Sequence, residues 1–141
     1  MTTKRESILT QIKTTLAGTT GVSDRIYRSR VVPLTRGEVP ALVIEPVSDA
    51  AGEGVSISHI DWSLTVRVSV IVRGDIPDTQ ADLTVQSVHS KLMADLTLNG
   101  KAIDITPTNV SFEMVDADQP AGVIGCEYLI RYRTLVADLT Q

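Results

Sequence analysis

Cysteine, aromatic side chains and surplus positive charge are all scarce in this chain. Cys126 stands alone among 141 residues and cannot close an internal disulfide, so the fold does not lean on an oxidising compartment. Lys and Arg number 13 against 17 Asp and Glu, giving a net charge of −4 and a pI of about 5.1. The basic footprint that grips phosphates is missing, which argues against a nucleic-acid binder. The longest apolar-rich stretches are strand-like and carry polar residues, which excludes a membrane span. Met1 to Ser7 lead into no apolar run, so no signal peptide is expected and the chain reads as made and folded in a cytoplasm.

Reactive constellations are equally sparse. His59 and His89 lie far apart, and no H-x-x-x-H or C-x-x-C spacing supports a zinc site. His89 neighbours Val85, Val88 and Leu92 and reads as the edge of an apolar stripe. Cys126 alternates with Ile124, Tyr128 and Ile130, which places it on a buried face as a small hydrophobe. Asp116 and Asp118 resemble half of a calcium loop, but Pro120 and Ala121 occupy the positions that should continue it. Gly52-Glu53-Gly54 lacks the third glycine of a dinucleotide fingerprint. Asn109-Val110-Ser111 matches a glycosylation acceptor without a secretion route. The expectation is a protein that is no enzyme and takes no cofactor or metal.

What the sequence does hold is pattern. Hydrophobic residues make up 43% and charged residues 21%, with a mean hydropathy of +0.11, the composition of one globular domain spanning 1–141. Thr3 and Glu6 have capping-box spacing, and Ile8, Leu9, Ile12 and Leu16 form a helical stripe ending at Gly18 and Gly21. Lys4, Arg5, Gln11 and Lys13 fall off that stripe. Residues 25–34 predict one short strand, and Val39 to Val47 a strand whose prolines place its ends at an edge or just outside the pairing. Ser48 to Ile60 predicts a mobile loop or a protruding hairpin arm. Trp62, Leu64, Val66, Val68, Val70 and Val72 alternate with polar residues through Arg73, interrupted only by Ile71, a strand with one buried face. Pro77 and Asp78 open a second helix with Asp78 as N-cap and Ala81, Val85, Val88, Leu92 and Leu96 as its stripe. A turn at Asn99-Gly100, a short strand at 102–105, alternation at 109–115 and a last strand at about 123–134 complete the chain. The order predicts an α+β fold: an antiparallel or mixed sheet with two helices on one face, plus the arm.

The polar sheet face carries Thr65, Arg67 and Ser69 on one strand and Glu127, Arg131 and Arg133 on another. Such a face suits a subunit interface in which arginines meet carboxylates, and equally a sheet that leaves one side in water. Val55, Ile57 and Ile60 on a lone arm call for a partner surface.

Several segments carry a resemblance. Ile26-Tyr27-x-x-Arg30-x-x-Pro33-Leu34 and Glu38-Val39-Pro40-Ala41-Leu42-Val43-Ile44 resemble the opening of the tail-terminator family of long-tailed phages, the minor tail protein U group of lambda-like phages. Trp62 to Val68, Met93 to Gly100 and Tyr128 to Thr134 continue it, so the likeness runs over nearly the whole chain. It implies a structural virion protein: a six-fold ring on the head-proximal end of a tail tube that stops its polymerisation and offers a surface to the head connector. The partners so implied are other copies of the chain, the major tail tube protein and the head–tail connector or neck protein, with DNA passing through unheld and no membrane involved. The implied location is the virion tail, after assembly in the host cytoplasm. Geometry alone suffices for termination, since a heterologous ring has two unlike end faces and only one can copy a tube contact.

On that reading Arg30, Arg67, Arg131 and Arg133, with Val55 and Ile57 of the arm, are expected at ring contacts. Asp75, Asp78, Asp116 and Asp118 are expected at the lumen, where carboxylates would let DNA slide. The same acids also suit ordinary solubilising loops. A neck or connector component and a monomeric soluble binding module are the alternative readings.

Overall fold

A computed structural model describes residues 2–29, 40–52, 57–115 and 120–141. Its first element is helix α1 (Lys4–Thr15), started by Thr3, whose hydroxyl accepts from the Glu6 amide at 3.2 Å. The expected stripe is the buried one: Ile8, Leu9 and Ile12 within the helix and Leu16 just past it. The off-stripe residues are not all free in water. Lys4 Nζ donates to the Arg133 carbonyl at 2.8 Å, and Arg5 reaches Asp49 at 3.2 Å.

Four further strands follow the short β1 (Ile26–Arg28): β2 (Ala41–Ala51), β3 (His59–Arg73), β4 (Asp104–Val115) and β5 (Ala121–Leu135), with helix α2 (Pro77–Met93) between β3 and β4. They form one mixed sheet in the order β1-β2-β3-β5-β4, parallel only between β1 and β2. Alternation of β-branched and polar residues makes β3 and β5 the long central pair, registered from His59 against Leu135 to Arg73 against Ala121. Leu64, Val66, Val68, Val70 and Val72 are fully buried together with Ile124, Cys126, Tyr128, Ile130 and Tyr132. Both helices pack on that face, α1 over β1 and β2 and α2 over β3 and β5. The α+β sheet-and-helix layering read from the sequence is therefore the architecture of the chain.

Several expectations shift. Pro40 falls just outside the pairing, as expected, but the strand does not stop at Val47: β2 runs on to Ala51. Pro46 is accommodated because β1 pairs only with Leu42–Ile44, and a register shift falls between Pro46 and Ser48. The arm is a hairpin whose strands belong to the sheet. Asp49, Ala50 and Ala51 pair with Leu64, Ser63 and Trp62, and β5 flanks β3 down to His59, so these residues do not protrude. Asp78 is not the cap of α2; Ile76 is, without a side-chain bond, and Pro77 takes the first helical position where a missing N–H costs nothing. The stripe ends at Leu92. Leu96 is half-exposed past the helix, and the next buried apolar side chain is Leu98.

That substitution has a local cause. The Asp95 carboxylate accepts from the amides of Thr97 and Asn99 and from the Thr97 hydroxyl, which winds the chain into a tight turn. Leu98, Asn99 and Gly100 then hold φ of 49°, 60° and 78° in succession. A left-handed leucine is strained, and its fully buried side chain offsets the strain. The two short strands expected around 102–105 and 109–115 are one strand, β4, with a register shift between Pro107 and Asn109.

Candidate functional site

The outer sheet face, away from the helices, gathers the arginines singled out from the alternation. Arg131 holds Asp104 on the adjacent strand through Nε at 3.0 Å and Nη2 at 2.5 Å. Arg133 holds Asp61 across β3 through Nε at 2.6 Å. Arg67 lies 3.5 Å from Glu45 on β2, its stem crossing Gly125, where a Cβ would stand 3.2 Å from the arginine Cδ. Each guanidinium thus meets a carboxylate of its own chain. The pairing lowers the titration points of Asp61 and Asp104, chiefly through the hydrogen bonds from Arg133 and Arg131, and raises those of the two arginines. A shallow depression of about 340 Å³ on this face is lined by Glu45, Arg67, Ser69, Ser111, Glu113 and Gly125 among others.

The other expected site residues do not join this group. Asp75 is exposed in the turn before α2 and Asp78 in its first turn, and Asp78 belongs to the helix layer on the opposite side of the sheet from the arginine ladder. Ile57 is fully exposed at the end of the β2–β3 hairpin. Arg30, Val55, Asp116 and Asp118 lie outside the described residues.

Groups suited to chemistry stay scattered. Among the described residues no three His, Cys, Asp or Glu side chains are placed to hold a metal ion. Cys126 is buried, and desolvation pushes its thiol up to about 11, far from a thiolate at neutral pH. His89 stands at the rim of α2 with its ring 6.4 Å from that of Tyr128. Among the described residues no helix is long and apolar enough to cross a membrane.

The surface that stands out is one the sequence reading passed over. Val110, Phe112 and Met114 of β4 register with Cys126, Ile124 and Gly122 of β5, on the face that forms the core elsewhere. They remain 47%, 63% and 50% exposed. Five strands about 4.8 Å apart make a sheet roughly 24 Å wide, and two helices of about 10 Å each leave the part of its last strand beyond the buried Ile105 bare. Ile76 at the start of α2, 57% exposed, extends the patch past Met114, where Pro77 closes on Gly122. Among the described residues no strand pairs with the outer edge of β4, so its backbone donors and acceptors are open there too. Alternation at 109–115 gave the common face of these three residues. Their exposure depends on where α2 ends and how far it reaches, which no local pattern records.

Contiguous exposed apolar side chains on an open sheet edge are the usual mark of a protein–protein contact. Comparison with models of known protein families and with curated proteins finds no match to this chain.

Proposed function

We propose that this chain is the subunit of a structural ring in a phage virion, most simply a hexameric tail terminator. The ring caps the head-proximal end of the tail tube, stops tube growth and presents a surface to the head–tail connector, while DNA passes through its hole without specific binding. The function would need no catalysis, cofactor or metal: a wedge-shaped domain associates with its copies until the circle closes, and the occupied tube end has no site for another tube subunit. Assembly would take place in the host cytoplasm and the finished protein would reside in the virion tail.

What supports the reading is the unfinished edge of the sheet. Val110, Phe112 and Met114 form an apolar row that a solitary domain would gain by covering. The order of segments that resembles tail terminators supplies the setting. The test is negative-stain microscopy of the purified protein mixed with uncapped tail tubes. The expected result is a ring at one end of each tube and a halt in tube lengthening. Tubes that keep growing, with bare ends, would overturn the proposal, and rings seated on the head vertex would move the protein to the neck.

A further inference from the structure

Residue levels can be followed straight across the sheet. Tyr27 is level with Val43, Ser69, Gly125 and Ser111, and Ile26 with Leu42, Val70, Ile124 and Phe112. One step further, Ala41, Ile71, Val123 and Glu113 share a level. Arg25, directly before Ile26, stands at that level on the β1 edge. Arg25 and Glu113 therefore mark matching heights at opposite edges.

Neither forms an ion pair among the described residues. Arg25 donates to the carbonyls of Pro40 (2.8 Å) and Gly21 (3.1 Å) and meets no carboxylate among the described residues. Glu113 is exposed and has no basic partner among them. Following the pairings, β1 and β4 run in opposite directions within the sheet. A second copy set beside the first with its helices on the same side thus brings its β1 antiparallel to β4.

We propose that the open edge of β4 receives the β1 edge of a second copy of this chain, a head-to-tail contact in which Glu113 meets Arg25 of the neighbour. The level match lets the two edges meet with no slide along the strands, as closure by rotation alone requires. The neighbour's β1 and the residues packed over it cover Val110, Phe112 and Met114, and since neither edge carries another strand among the described residues the two can satisfy each other's backbone groups. The proposal rests on the ring reading and names the contact that closes the ring.

Sedimentation velocity of E113R, R25E and their equimolar mixture tests it, with tail tubes added as template in a parallel series. Either variant alone sets like charges against each other at every contact and should weaken self-association at least about tenfold. The mixture alternates the two and should recover the wild-type oligomer, whereas a β4-to-β4 contact would leave R25E alone unaffected. F112D serves as a second probe of the same edge, since Phe112 is mostly exposed and the monomer should keep its circular dichroism. Arg25 also ties Gly21 to Pro40, so a melting curve accompanies R25E, and recovery in the mixture itself shows that the variant folds. If R25E assembles normally while E113R and F112D do not, β4 meets something other than β1 and the proposal falls. If the wild type assembles and none of the variants changes it, this contact is wrong while the ring reading stands. A wild type that stays monomeric even with tubes present removes both.

Discussion

At the scale of single residues, the tightest constraint sits at Gly122. A Cβ there would stand 2.5 Å from Pro77 Cβ, and a proline ring at a helix start cannot swing aside. Gly122→Ala should cost about 1–3 kcal/mol by overpacking, read as a lower midpoint in denaturant at unchanged slope. Tyr132 is a second such point. Its hydroxyl donates to Asp49, which also takes Arg5, and its ring stacks on Trp62 with centroids 6.4 Å apart. Burial and the neighbouring carboxylate both push the phenol upward, so it stays a donor throughout the ordinary pH range. Tyr132→Phe should lose roughly 1.5–3 kcal/mol, because it removes a hydrogen bond to a charged group that is itself mostly buried. Little of this was legible beforehand. Alternation placed Tyr132 on the core face, but Asp49 read as part of a loop, and only the β2 register brings it to the phenol.

At the scale of elements, local signals were reliable where chemistry is local. The Thr3-to-Glu6 spacing announced the start of α1, and Thr3→Ala should reduce stability by about 0.5–2 kcal/mol. The length of β3 could be counted from its valines. Signals failed where two local features compete: the cap of α2 went to Ile76 because Pro77 already occupies the first turn, and Leu98 displaced Leu96 because Asp95 folds the chain back. The outer ladder carries an acid prediction. Asp61 and Asp104 on the sheet, and Glu6 beside Arg28, all titrate below their ordinary values, each held chiefly by an arginine hydrogen bond. A depressed carboxylate stabilises the fold above its unfolded value, near pH 4, and that help drains as the pH falls through the lowered value. Melting temperature should therefore decline below about pH 4, and D61N together with D104N should flatten the decline. These pairs are exposed, so the slope should be shallow and should shrink further in high salt.

Over the whole molecule, the contrast lies between a finished interior and an unfinished margin. Ile124 and Phe112 stand side by side in one row, yet one is buried and the other mostly bare. Ile124→Ala should destabilise the monomer by about 2–5 kcal/mol, whereas Phe112→Ser should change it by no more than about 0.5 kcal/mol. Denaturation of the two variants side by side checks this. The architecture could be read in advance because two periodicities, 3.6 and 2, separate helices from strands along the chain. The edge could not, because exposure at β4 is set by the reach of a helix from elsewhere. Charge reversal at Arg67, Arg131 or Arg133 is also a less clean probe than the alternation promised, since each reversal sets a carboxylate against one already in the chain. Positive and negative groups stand within a few ångströms of one another along the arginine ladder, so their fields cancel before the distance at which salt would screen them. A long polyanion drifting past that side would feel an almost blank wall.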